Sequence, residues 1–118
     1  MLSTVLLTLV LSVTLPCSQP TLERNKLIDE AQRNEFNVRR VEFVGLTFTR
    51  DHVLRDRMTP ILNEGDAFTR AKLLRSLRRM SDLKRTIYPL RLTDVIIKLD
   101  RTEGLVDMTI CFRQRPRG

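Results

Sequence analysis

Two runs near the end of the chain leave little freedom in what it can become. Val95, Ile97 and Leu99 alternate with Ile96 and Lys98, and Val106, Met108, Ile110 and Phe112 alternate with Asp107, Thr109 and Cys111. Period-two patterning sends successive side chains to opposite faces, so both runs read as strands with one buried face. Between them Asp100, Arg101, Thr102, Glu103 and Gly104 make a polar loop closed by glycine, and the pair reads as a hairpin. A lone hairpin is marginal in water, so the preceding chain has to supply another strand and a helical cover.

It supplies both. Val41 and Phe43 alternate with Arg40 and Glu42, a third strand that Gly45 ends. Thr49 is placed to cap a short helix through Met58, on which Leu54 and Met58 share a face continued by Ile61 and Leu62. Pro60 stops that helix, and Asn63, Glu64, Gly65 and Asp66 form a turn. Thr69 is a good N-cap for a second helix with an apolar stripe of Leu73, Leu77 and Met80, widened by Leu74. The order is β-α-α-β-β, an α+β fold with a three-stranded sheet and two helices packed on one face. Leu90 and Leu92 sit on even positions and Val95, Ile97 and Leu99 on odd ones. The inward phase therefore slips across Thr93 and Asp94, which predicts a β-bulge in a strand over residues 92–99.

The start of the chain follows a different rule. Met1 to Ser18 carry no charged side chain, and residues 2–15 are apolar or hydroxylated. That is the length of a secretory h-region, and a membrane-spanning helix needs about 20 apolar residues. Residues 1–18 are expected to be an export signal, cleaved near Cys17 to Gln19. Loss of Cys17 would leave Cys111 unpaired and the mature domain without a disulfide. Residues 19–37 read as a linker or a weak helix carrying Leu22, Leu27, Ile28 and Ala31, with the folded unit over residues 38–116. A chain of 118 residues allows one small domain.

The formal net charge of +7 is localised. Residues 23–68 carry net −1, residues 69–85 net +6 and residues 86–118 net +2. Lys72, Arg75 and Arg79 project from the second helix as a candidate basic contact face for an anionic lipid surface or an acidic partner. The plainer alternative is a solvated helix face. His52, the one histidine, stands beside Asp51 and Arg55 with no metal-ligand spacing, no phosphate loop and no nucleophile elbow. No enzymatic activity, metal or cofactor is expected. Aromatic residues at 5% argue against a base-stacking platform.

Several segments together resemble one family. Val38-Arg39-Arg40-Val41-Glu42-Phe43-Val44-Gly45 resembles the opening strand of a POTRA (polypeptide-transport-associated) domain. Glu64-Gly65-Asp66-Ala67-Phe68-Thr69 is similar to its inter-helix turn, residues 73–83 to its second helix, and Val106-Asp107-Met108-Thr109-Ile110 to its last strand. The resemblance covers residues 38–116. Leu46 stands where asparagine is frequent in the family, Pro60 lies between the helices, and the link over residues 83–91 is long. No second repeat and no barrel follow, whereas Omp85-type assembly factors carry such modules in tandem before an outer-membrane β-barrel.

The resemblance implies an exported, periplasmic polypeptide-binding module in outer-membrane protein assembly or secretion, as an adaptor or a remnant. Its partners would be polypeptide clients or an outer-membrane assembly protein. In that arrangement the strand over residues 92–99 is a sheet edge with unpaired main-chain groups. Thr93, Asp94, Val95 and Ile96 then become the candidate edge for strand addition by a client. Two alternatives stand beside it. A KH domain shares the β-α-α-β unit but grips phosphates with a Gly-x-x-Gly loop, and Glu64-Gly65-Asp66-Ala67 has one glycine and two carboxylates. Nucleic acid is therefore not an expected partner. A cell-division protein with a single POTRA module would show a charged cytoplasmic stretch and a full-length membrane helix, and neither is expected here.

Overall fold

The structure, a computed structural model, describes residues 17–116. All but the last two positions of the expected export signal lie outside the described residues.

The elements run α1 (Thr21–Arg33), β1 (Asn37–Val44), α2 (Asp51–Met58), α3 (Arg70–Met80), β2 (Val95–Asp100) and β3 (Leu105–Cys111). The hairpin expected from the two alternating runs is β2–β3, antiparallel, with Val95 opposite Ile110 and Asp100 opposite Leu105. β1 joins the other side of β3 in parallel, so the sheet order is β1-β3-β2 with β3 central. Val95, Ile97, Val106, Met108 and Ile110 are buried on the helical face, together with Val38 and Val41 of β1. Leu54 and Met58 of α2 and Leu73, Leu77 and Met80 of α3 close over that face.

Local chemistry sets the helix ends. The Thr69 hydroxyl accepts the Lys72 amide at 3.1 Å and starts α3 where the sequence places it. α2 begins at Asp51 rather than at a Thr49 cap, because the Thr49 hydroxyl accepts from Gln114 Nε2 instead. Leu74 does not widen the buried stripe of α3; it is 38% exposed, and Ser76 takes the buried place. At about 100° per residue Ser76 flanks the stripe of Leu73, Leu77 and Met80 on the Met80 side, and Leu74 lies farther out on the Leu77 side. Gly45 ends β1 at φ +88°, with Phe112 crossing so closely that a Cβ would lie 2.2 Å from its carbonyl oxygen.

The phase slip after Leu92 is not a bulge. Leu92–Asp94 is one turn of 3-10 helix in which the Asp94 carboxylate accepts the Arg91 amide at 2.8 Å, and β2 starts only at Val95. A tight turn absorbs the same odd residue while satisfying its backbone locally. The register shift in this sheet lies in β1, between Val38 and Arg40.

The largest differences concern residues 17–37. Residues 21–33 take the helical alternative and not the linker, and the helix is an integral part of the fold: α1 buries Ile28, Ala31 and Arg24 and packs against β2 and α3. The folded unit therefore extends well before Val38. The expectation of an unpaired Cys111 is also overturned, since Cys17 and Cys111 form a disulfide across a sequence separation of 94. Cys111 lies on the outward phase of β3, where the chain from Cys17 covers it.

Candidate functional site

β2 is an edge strand, as the candidate site requires, but its outward main-chain groups are not bare. Alternation in an antiparallel pair directs every second residue away from the partner strand. Here Val95 and Ile97 carry outward groups that meet side chains from the start of the chain. The Gln19 side-chain amide pairs with Ile97 twice, accepting its N–H at 2.9 Å and donating to its carbonyl at 3.0 Å. The Arg24 guanidinium donates to the Val95 carbonyl at 2.8 Å and reaches the Thr93 carbonyl at 3.5 Å. A further bond from Arg24 to the Gln19 carbonyl, at 2.7 Å, ties the two together.

Arg24 is only 2% exposed, and its charge is met by carbonyl oxygens with no carboxylate among its partners. A buried charge is costly unless its hydrogen bonds are made, so this side chain depends on the edge as much as it covers it. Leu99, two residues beyond Ile97, carries the next outward amide and carbonyl.

Of the four candidate edge residues, Thr93 and Asp94 lie in the 3-10 turn and Val95 and Ile96 open β2. Asp94 is engaged structurally, accepting from Arg91 and, at 3.5 Å, from Arg113. Ile96 directs its own main-chain groups toward β3. The outward groups belong to Val95, Ile97 and Leu99, and Gln19 and Arg24 attend the first two. Glutamine just before a helix and arginine in its first turn gave no sequence signal for this role, because their partners lie more than 68 residues away.

The opposite edge, on β1, is covered by the inter-helix turn. The Gly65 amide donates to the Val38 carbonyl at 2.7 Å, the Val38 amide to the Asp66 carbonyl at 2.8 Å, and the Phe68 amide to the Phe36 carbonyl at 2.9 Å. Glu64 accepts the Val41 amide, and Arg55 donates to the Val41 carbonyl. These bonds bind the turn that a KH reading would use for phosphate to the strand beside it. Its Gly65 and Phe68 amides already have main-chain acceptors.

The three candidate basic residues lie on α3. Arg75 and Arg79 are exposed, and Lys72 is half-buried with its ammonium 3.4 Å from the Ala67 carbonyl. Among the described residues Arg75, Arg78 and Arg79 enter no ion pair; the pairs present lie elsewhere, on Asp51, Glu30, Asp94, Asp100 and Asp107. On the outward face of the sheet Arg39 of β1 clamps Asp107 of β3 through two bonds, at 2.7 and 3.0 Å, and holds that carboxyl below its ordinary value. His52 is exposed on α2, and no metal-binding cluster of His, Cys, Asp or Glu exists among the described residues.

Comparison with known proteins bears on the fold. The POTRA family model, described as surface antigen variable number repeat, matches residues 36–87. Among solved structures the chain is similar to "POTRA1-3 of the periplasmic domain of Omp85 from Anabaena", at 14% identity and a TM-score of 0.52. The match covers 68% of this chain and 34% of that one, so the chain spans about a third of that structure's length. No curated protein matches it.

Proposed function

We propose that this chain, which carries a POTRA-type domain, is an exported polypeptide-binding module of outer-membrane protein assembly or secretion, an adaptor or remnant located in the periplasm. The observation that carries the reading is β2 itself: an edge strand beside a covalently closed N-terminal segment, in the β1-β3-β2 order. Strand addition uses main-chain hydrogen bonds and so accepts clients of varied sequence. The Cys17–Cys111 disulfide supports the assignment to an exported compartment, since such bridges persist where the surroundings are oxidising.

A client added at β2 would meet the outward groups of Val95, Ile97 and Leu99, along the stretch that begins at Thr93, Asp94, Val95 and Ile96. Leu99 is the position to disable, because proline there removes an outward amide and no bond to β3. A second contact surface is favoured by one specific observation. Among the described residues Arg75 and Arg79 stand free of ion pairs on α3, together with Lys72, and an acidic stretch of the same partner or an anionic lipid surface would complement them.

Titration with unfolded outer-membrane-protein peptides separates the two surfaces. Leu99→Pro is expected to abolish binding in a folded protein, and Arg75→Glu with Arg79→Glu to weaken it with a strong salt dependence. Binding that survives Leu99→Pro and vanishes in the double charge reversal would move the site to α3 and refute strand addition.

A further inference from the structure

The groups a client strand would use on β2 are the ones Gln19 and Arg24 already hold. Any strand added over Val95 and Ile97 has to take the Ile97 amide and carbonyl from Gln19 and the Val95 carbonyl from Arg24. The two occupancies exclude each other. The covering segment is anchored unevenly. Ile28 and Ala31 of α1 are fully buried in the core and Leu27 packs partly buried against it, but over residues 18–24 no apolar side chain is buried, and Leu22 is 68% exposed. Residues 17–24 are held by the hydrogen bonds of Gln19 and Arg24 and by the Cys17–Cys111 disulfide. Gln19 stands two residues from Cys17, so the disulfide fixes one end of the cover and α1 fixes the other.

We propose that residues 17–24 are a latch that closes the β2 edge while the disulfide is intact, and that reduction by a dithiol opens the edge to an added strand. This rests on the strand-addition reading above. A segment tethered at both ends competes as an internal ligand at an effective concentration of about millimolar, which weakens the apparent affinity of any added strand. With Cys17 released, the segment keeps one tether and competes poorly.

The chemistry is thiol–disulfide exchange. A thiolate of the dithiol attacks the Cys17 sulfur, the more accessible of the two, and displaces the Cys111 thiolate, which takes up a proton. The second thiolate then attacks the mixed disulfide and frees Cys17, which is protonated in turn. Two electrons pass from the dithiol, which ends as its own disulfide, and both cysteines end as thiols.

The test uses the chain from Cys17 onward in three forms: oxidised, reduced with dithiothreitol, and Cys17→Ser. The probe is a blocked ten-residue peptide alternating threonine and valine. Hydrogen exchange at the Ile97 amide, referenced to Met108 in central β3, reads the latch without any client. Backbone shifts along β2 during titration read strand addition. Opening is expected to speed Ile97 exchange relative to Met108, and to tighten peptide binding, each by about tenfold or more. Gln19→Ala, with its disulfide intact, removes both bonds to Ile97 and decides the matter if Cys17→Ser does not fold. Its Ile97 exchange is expected to rise in the same way.

Unchanged Ile97 protection across all forms overturns the latch. Equal peptide binding at β2 in the oxidised and opened proteins also overturns it, and leaves strand addition standing. Faster Ile97 exchange without any shift along β2 upholds the cover and overturns strand addition.

Discussion

Gly45 and Gly65 make a matched experiment. Both have positive φ, +88° and +96°, but a Cβ on Gly65 would meet nothing within 4 Å while one on Gly45 would lie 2.2 Å from the Phe112 carbonyl oxygen. The left-handed region costs alanine about 1–2 kcal/mol, and the loss of unfolded-state freedom on replacing glycine returns about 0.4–1 kcal/mol. Gly65→Ala should therefore destabilise by about 1 kcal/mol. Gly45→Ala carries that term and one more. The Phe112 carbonyl has to retreat beyond 3.0 Å, and the same residue's amide donates to the Val44 carbonyl at 2.9 Å. Pulling Phe112 away threatens that bond, and a buried donor left unpaired costs about 1–3 kcal/mol. The total for Gly45→Ala is about 3 kcal/mol, a fall in Tm of at least about 12 °C for a domain of this size. Urea denaturation of both variants beside the parent measures the difference. Equal losses, or a loss at Gly45 under about 1 kcal/mol, would show that β1 does not end against Phe112 as described.

Three further outcomes follow from the same structure. Leu77, fully covered on α3, should cost about 2–4 kcal/mol when truncated to alanine, against less than about 0.5 kcal/mol for Arg75→Ala; comparable losses would mean the helix is turned the wrong way. Arg39 depresses the Asp107 carboxyl, so the native state favours its charged form. That contribution is complete above the ordinary carboxylate value and is lost as pH falls through the lower folded value. Urea midpoints of the parent and Asp107→Asn should thus differ at neutral pH and converge in acid below pH 3.8; a gap that widens there would contradict the pairing. Mature protein isolated from its host should retain Cys17 and be lighter, before reduction, by the two thiol hydrogens. A terminus beyond Cys17 would remove the bridge.

Much of the fold was legible because it follows from local pattern. The alternation through Val106 and Ile110 defines β3, and the Thr69 hydroxyl marks the first turn of α3. The features that escaped depend on distant or degenerate information. A phase slip at Thr93 and Asp94 is consistent with either a bulge or a 3-10 turn, and the side chain of Asp94, reaching back to Arg91, selects the turn. Residues 21–33 have few apolar positions, so α1 is stabilised by burial of Ile28 and Ala31 against the rest of the fold more than by its own pattern. Cys17 reads as the end of an export signal until its sulfur is placed beside that of Cys111. The candidate edge was legible as an edge. Its occupants, Gln19 and Arg24, were not, since a polar side chain bonding to backbone leaves no periodicity.

Strand addition at β2 is the central claim, and intermolecular nuclear Overhauser contacts test it most directly. The sample is isotope-labelled Gln19→Ala protein with an unlabelled peptide from an unfolded outer-membrane protein. Cross-strand contacts are expected from the peptide backbone to the amides of Ile97 and Leu99, in a regular two-residue register along β2. Contacts confined to Arg75, Arg78 and Arg79 of α3, or a complete absence of contacts to β2 at saturation, would contradict it.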